Sequence, residues 1–148
     1  MRHAITFLAT GAYIGYLPIA PGTFGSLLAL PLLCLLARLG LTPASLVALI
    51  AVVSLAAMAV CHRAEIAFAE SDSRKIVLDE ICGMLVAGAW IVPTPTSLLV
   101  VFVLFRLFDV LKPFPAGYLD RKVRNGIGVV ADDLVAGVYA NLVARALT

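Results

Sequence analysis

The chain has 148 residues, of which 62% are hydrophobic and 14% are charged, and its formal net charge at pH 7 is +2. Soluble domains average about 25% charged residues, and a chain of this length leaves much of its surface exposed, so the composition excludes an ordinary water-soluble domain. The small net charge and the single basic stretch at 121–124 give no indication of nucleic-acid binding.

The first half of the chain predicts short helices joined by turns. Residues 3–14 are mostly apolar and predict a short helix, whereas the prolines and glycines of 15–23 predict a loop. Apolar runs predict helices over 24–39 and 44–61. The Thr42-Pro43 pair between them predicts a turn, with the proline suited to a helix start.

The second half continues the pattern after a polar stretch at 62–80. Two prolines divide the next apolar stretch, which predicts a hairpin of helices over 79–92 and 96–111. Residues 112–128, rich in Pro, Gly, Lys and Arg, predict a loop, and 129–147 predict a last helix. A spanning helix needs about 20 residues. Several of these segments are shorter, so the number of true spans stays open.

Two helical hairpins would place the loops 15–23, 62–78 and 112–128 on one face, and the turns 40–43 and 93–95 on the other. The first face then holds most of the basic residues, which are Arg63, Arg74, Lys75, Arg106, Lys112, Arg121, Lys122 and Arg124. Cytoplasmic loops of membrane proteins carry an excess of Lys and Arg. The distribution therefore predicts that this face is cytoplasmic.

Five carboxylates stand at predicted helix ends on that same face. They are Asp79, Glu80, Asp109, Asp132 and Asp133. Ionisable groups within apolar segments are costly and usually functional, and the helix dipole accounts for single acids at helix starts but not for pairs. The alternative is that these acids are structural, serving as helix caps and as partners in salt bridges. Arg106 precedes Asp109 by three residues and Lys112 follows it by three, which is the spacing of ion pairs within a helix.

Carboxylate oxygens and water are the ligands that Mg²⁺ prefers, usually together with a substrate phosphate. The neighbouring cations, Arg106 and Lys112 with Arg74 or Lys75, suit a polyanionic substrate. Metal and basic side chains together neutralise charge in phosphoryl transfer. The residues therefore indicate metal-assisted phosphate hydrolysis.

Two weaker features accompany the acids. The run at 22–26 leads into a helix, so its backbone amides could receive phosphate, although such a run is more often a simple cap. His62 with Glu65 could ligate metal or relay protons, although an ordinary interfacial histidine is the more frequent case.

Four stretches of the chain together resemble one known family. They are PIAPGTFGS (18–26), IVLDEICGM (76–84), FRLFDVLKPFP (105–115) and GIGVVADDLVAG (126–137). In this order and spacing the sequence is similar to the bacterial phosphatidylglycerophosphatase A family. The resemblance implies a Mg²⁺-dependent phosphatase of the cytoplasmic membrane that converts phosphatidylglycerophosphate, its phospholipid substrate, to phosphatidylglycerol and phosphate.

The resemblance also implies that the five acids belong to the site, with Arg106, Lys112 and Thr23 as substrate-binding candidates. One departure concerns Ala116-Gly117, where the family pattern has Ile-Arg. A headgroup contact is then either lost or supplied by Arg121, so the substrate preference is less defined than the reaction class.

We therefore expect a single all-α domain over 1–148, built as a multi-pass membrane bundle of four to six helical segments. The metal count, the identity of the base and the oligomeric state stay open. Two other classes remain as alternatives: an ion-coupled transporter or channel subunit, and a non-catalytic membrane assembly protein.

Overall fold

The computed structural model describes residues 2–70, 73–123 and 125–148, with the side chains of 120 and 121 outside that description. Within these ranges the chain is all-α, as predicted, and contains no strand. The helices are α1 (Arg2–Ala9), α2 (Pro21–Arg38), α3 (Pro43–Phe68), α4 (Leu78–Ala87), α5 (Pro95–Leu111), α6 (Ala116–Lys122) and α7 (Gly126–Leu147), with a 3₁₀ turn at Ile14–Tyr16. The seven helices exceed the four to six expected because the loop predicted over 112–128 contains α6.

Several predicted boundaries are wrong for local reasons. The first helix ends at Ala9 rather than at 14, because Gly11, Ala12 and Tyr13 all have positive φ angles. Helix α2 starts inside the predicted loop, with Pro21 in its first turn. Helix α7 begins at Gly126 because the side chain of Asn125 accepts hydrogen bonds from the amides of residues 127 and 128.

Helix α3 continues to Phe68, seven residues into the polar stretch 62–80 that was predicted to end it. His62 and Arg63 are exposed, whereas Cys61, Ala64 and Glu65 are buried. Polar residues therefore continue the exposed face of an amphipathic helix instead of breaking it.

Three of the helices, α2, α3 and α7, are long and apolar enough by length and composition to cross a membrane. Helix α4 has ten residues, which correspond to about 15 Å of helix. It is too short to span a bilayer. Its beginning and end therefore lie at fixed depths set by the longer helices around it.

Close packing of α4 against α7 sets the position of the acidic residues. A side chain at Gly137 would overlap the backbone carbonyl of Gly83, and one at Gly83 would lie 2.7 Å from the Asp133 carbonyl and 2.5 Å from the Phe105 ring. Small residues allow helix backbones in a membrane to approach this closely. The contact brings Asp133 of α7 beside α4.

The hairpin topology predicted from the sequence agrees with the structure. The α2–α3 turn at 40–41 and the residues 88–93 after α4 line one cavity at one end of the bundle. Residues 15–18 and 73–75 line another cavity at the opposite end. That second end is called the site face below, because the acidic residues lie there.

Candidate functional site

The first turn of α4 presents two acids to the bundle. Asp79 is buried and Glu80 is half-buried, and both lie in the first helical turn as predicted. The chain enters this helix through the buried pair Ile76 and Val77, and the Val77 amide donates a hydrogen bond to the Ala9 carbonyl at 2.9 Å. The apolar anchor and this hydrogen bond hold the start of α4 in place.

Asp133 of α7 completes a group of three carboxylates. One oxygen each from Asp79, Glu80 and Asp133 lies within 4.8 Å of the others, and we call these three residues the carboxylate cluster. Asp79 Oδ1, Glu80 Oε2 and Asp133 Oδ2 are buried and have no hydrogen-bond partner. Burying unpaired charge is unfavourable, so these oxygens are candidate ligands for a cation.

The crowding of buried carboxylates makes ionisation of the two α4 acids unfavourable. Burial raises the pKa of Asp79 well above its usual range, and the Glu80 carboxylate raises that pKa further. Burial likewise raises the pKa of Glu80, although the hydrogen bond from Asp79 acts in the opposite direction. A bound cation would oppose both shifts, because it stabilises the ionised form of each acid.

Asp109 lies next to the cluster in an ion pair with Arg106. Arg106 Nη1 donates to Asp109 Oδ2 at 2.6 Å, and the two side chains are 24% and 14% exposed. Arg106 Nη1 also lies 3.4 Å from the Oγ of Ser26, which is fully buried. Asp109 and Ser26 therefore both contact the same guanidinium nitrogen. The Arg106–Asp109 pair is one of the two that the structural alternative predicted from the i, i+3 spacing.

Asp132 points away from its neighbour Asp133 and pairs with a lysine. Adjacent residues of an α-helix are about 100° apart, and Lys112 Nζ donates to Asp132 Oδ2 at 2.6 Å. Helix α7 starts six residues before Asp132, so the two acids lie within the helix and not at its beginning as expected. Of the five predicted acids, three form the cluster, and Asp109 and Asp132 each bind a basic side chain.

The start of α2 closes one side of the cluster. A Cβ on Gly22 would overlap the Glu80 carboxylate and would lie 3.6 Å from Arg106 Nη1. The amides of Thr23 and Phe24 already donate to the Ala20 carbonyl at 3.0 and 3.3 Å. These two amides are therefore occupied and do not support phosphate binding by the 22–26 run, for which a simple cap was the more frequent case. Thr23 itself is half-buried beside Gly22.

Sequence reasoning did not single out Gly22 or Ser26 as individual site residues. Both belong to the 22–26 run and lie four residues apart, which places them on the same side of α2. Ser26 Oγ donates to the Gly22 carbonyl at 3.0 Å. That spacing, together with the Pro-Gly pair at a helix start, was the available signal.

The weaker candidates lie apart from the cluster. His62 Nδ1 is 4.0 Å from Glu65 Oε2, with the His62 side chain 54% exposed, and neither residue belongs to the three-carboxylate group found among the described residues. The Arg121 side chain and Arg124 lie outside the described part of the chain. Arg74 and Lys75 line the cavity on the site face.

Comparisons with known proteins give a consistent result over nearly the whole chain. The family model described as phosphatidylglycerophosphatase A matches residues 7–148. A phosphatidylglycerophosphatase A of Haemophilus influenzae is 37% identical over 149 aligned positions, which cover 99% of this chain and 90% of that protein. Its Escherichia coli counterpart is 36% identical over 137 positions, covering 90% of this chain and 77% of that protein.

A third relative, from Bacteroides thetaiotaomicron, bears the name "Putative phosphatidylinositol-3-phosphatase". It is 34% identical over 147 positions, covering 90% of this chain and 86% of that protein. No solved structure matches the chain significantly.

Proposed function

Because the chain belongs to the phosphatidylglycerophosphatase A family and is therefore a phosphatase, we propose that it hydrolyses phosphatidylglycerophosphate at the carboxylate cluster with Mg²⁺ bound there. The products are phosphatidylglycerol and inorganic phosphate. In this reaction the bond between phosphorus and the terminal glycerol oxygen breaks. Water supplies the oxygen that joins the phosphate, and the glycerol oxygen takes up a proton.

The observation that carries the proposal is the set of three buried carboxylate oxygens without hydrogen-bond partners, contributed by Asp79, Glu80 and Asp133. The donor set consists of oxygen alone, which suits Mg²⁺ better than Zn²⁺, whose sites favour cysteine and histidine. Mg²⁺ bound there would neutralise phosphate oxygens and lower the pKa of a bound water.

Arg106 is the candidate donor to the phosphate. Its Nη1 is held by Asp109 and approached by Ser26, so the guanidinium is oriented before substrate arrives. Donors fixed in advance stabilise developing charge most effectively, because they need little reorganisation during the reaction. Lys112, bound to Asp132, supplies a second positive charge near the same end of α5. Thr23, next to Gly22 in the first turn of α2, is a further candidate for substrate binding.

We also propose that the site face is cytoplasmic and that the membrane is the bacterial inner membrane. Arg63, Arg74, Lys75, Arg106 and Lys112 lie toward this face. At the opposite end, Arg145 lines a cavity with residues 90–97, and Arg38 ends α2. The positive-inside rule assigns the basic end to the cytoplasm.

The transporter alternative predicts acids distributed along a path through the membrane. Here the three clustered acids meet at one depth near one end of the bundle, which favours a reaction centre. A non-catalytic assembly protein would instead keep its function after the acids are replaced by their amides.

The test is phosphate release by the purified full chain from phosphatidylglycerophosphate in detergent micelles, with Mg²⁺ and with excess EDTA. We expect release with Mg²⁺, loss of release in EDTA and recovery when Mg²⁺ is restored. Full activity in EDTA would overturn the metal assignment. No release under any of these conditions would overturn the substrate assignment.

A further inference from the structure

The cavity on the site face that is lined by residues 15–18 and 73–75 has a volume of about 280 Å³. It lies between the 3₁₀ turn that precedes α2 and the segment that leads into α4. Its lining residues include Tyr16, Pro18, Pro21, Glu70, Arg74 and Lys75. The reaction proposed above uses none of these side chains, so the cavity needs a separate account.

The walls of this cavity are held together by specific contacts. Any side chain at Gly15 would overlap the Lys75 carbonyl, so the turn and the segment before α4 touch through their backbones. The buried Ser73 donates to Glu70 Oε2 at 2.6 Å, and the Ile76 amide donates to the Ser73 carbonyl at 2.9 Å. These contacts define the shape of the cavity before a ligand binds.

The described residues that line the cavity carry more positive than negative charge. Arg74 is exposed, and Lys75 Nζ lies 3.7 Å from Glu70 Oε2 and 5.6 Å from the Phe68 ring centroid. An exposed ion pair at this separation is weak, so Lys75 can turn toward a ligand. Among the described residues that line the cavity there are two cations, Arg74 and Lys75, and one carboxylate, Glu70, so a phosphodiester can pair with the basic side chains. Arginine is well suited to phosphate because it can donate two parallel hydrogen bonds.

The cavity and the carboxylate cluster share the first turn of α2. Pro21 lines the cavity, and the next residue, Gly22, touches the Glu80 carboxylate. A ligand with two phosphates could therefore place one in each position.

We propose that this cavity binds the internal phosphodiester of the lipid whose terminal phosphate is hydrolysed at the cluster. This proposal rests on the proposed function. It assigns Arg74 and Lys75 to headgroup selection, because a lipid without that phosphodiester leaves the cavity empty.

The test compares two diacyl lipids in uncharged detergent micelles with Mg²⁺. Phosphatidylglycerophosphate has both a phosphodiester and a terminal phosphate, whereas phosphatidic acid has only the terminal phosphate. Arg74→Gln and Lys75→Gln should each lower the ratio of kcat/KM for the first lipid to that for the second by about 10-fold. That factor is the scale of one hydrogen bond to a charged group. Arg74→Lys should recover part of the ratio, because it keeps the charge.

Arg63→Gln is the matched control, since it removes an exposed cation from the same face without touching the cavity. An unchanged ratio in both cavity variants, with both lipids still hydrolysed, would overturn the proposal. If phosphatidic acid is not a substrate of the parental protein, the readout is the KM for phosphatidylglycerophosphate. It should rise about 10-fold with little change in kcat, and a fall in kcat at constant KM would count against the proposal.

A neighbouring anionic lipid is the other possible occupant. It predicts that the variants lose activity in vesicles containing anionic lipid but match the parental protein in neutral micelles, and that outcome would also overturn the proposal. Failure of the parental protein to hydrolyse either lipid would instead remove the proposed function itself.

Discussion

Gly22 of α2 lies against the carboxylate of Glu80 so closely that no side chain fits between them. The first turn of α2 therefore forms a wall of the carboxylate cluster. Through Pro21, the same turn also borders the cavity that is lined by Arg74 and Lys75. The local geometry of α2 thus affects both proposed subsites.

We expect Gly22→Ala to displace the Glu80 side chain and to reduce phosphate release by about 10- to 100-fold, the scale seen when a partner of a metal ligand is disturbed. The Mg²⁺ concentration for half-maximal activity should rise in parallel. The control is Gly40→Ala in the turn at the opposite end, where φ is +59° and no atom lies within 4 Å of the added Cβ. That variant should lower thermal stability in detergent but should keep the Mg²⁺ requirement. Equal Mg²⁺ requirements in both variants would argue against this role for Gly22.

Substitution of the five acids by their amides should produce two classes. Asp79→Asn, Glu80→Gln and Asp133→Asn each remove a cluster oxygen and should lower turnover by about 10³-fold, the scale of lost charge stabilisation. Asp109→Asn and Asp132→Asn instead release a basic side chain and should cost about 10- to 100-fold.

Amounts in the membrane fraction should be equal to the parental amount for all five variants, because the amides preserve shape and introduce no charge. Calorimetric titration of the purified protein with Mg²⁺ separates the classes without relying on turnover. Near-parental hydrolysis by all five variants would show that the acids are structural.

Arg106→Lys tests whether the orientation of the guanidinium matters beyond its charge. A lysine keeps the charge but lacks the planar guanidinium, whose remaining N–H groups could donate to a phosphate while Nη1 stays bound to Asp109. We expect kcat to fall by roughly 10- to 100-fold with a smaller change in KM, because the interaction is strongest in the transition state. Ser26→Ala should weaken activity less, since the Asp109 contact remains. A large rise in KM at constant kcat would indicate that Arg106 only binds the substrate.

Much of this candidate site could be predicted from the sequence because three of its acids mark helix ends and the hairpins bring those ends together. Asp79 and Glu80 lie in the first turn of α4, and Asp109 lies in the last turn of α5. The sequence could not show in which direction each acidic side chain points. Adjacent residues look alike in a pattern, whereas the structure turns Asp133 toward α4 and Asp132 toward Lys112.

Long-range contacts explain what was missed. The role of Gly22 depends on α4 lying against the start of α2, and the role of Ser26 depends on Arg106, eighty residues away in the chain. The polar run after Cys61 predicts a loop by composition, yet α3 continues to Phe68 with Arg63 exposed and Glu65 buried. Composition alone does not distinguish a polar loop from a helix with polar residues. The distinction depends on which other helices pack against the segment.

Membrane orientation can be tested by labelling single cysteines with an impermeant thiol reagent. In a variant without the native cysteines, we would place one cysteine at Ile19 or Tyr118 on the site face, or at Val92 on the opposite face. All three positions are exposed, by 76%, 49% and 75%. The lopsided distribution of Lys and Arg predicts that the site face is cytoplasmic. Intact spheroplasts should therefore be labelled at Val92 alone, and permeabilised ones at all three positions.

Each labelled variant should first be shown to release phosphate from lipid, so that the labelling reports a folded bundle. The comparison of Ile19 with Tyr118 is the sharper part, because these positions lie on opposite sides of the α4–α5 hairpin in the chain but at the same end of the bundle. Labelling of Ile19 and Tyr118 in intact spheroplasts, with Val92 protected, would reverse the orientation and leave the topology intact. Labelling of only one of the two would contradict the topology itself. The basic and acidic residues of the site face would then lie on different sides of the membrane, and no common site could form.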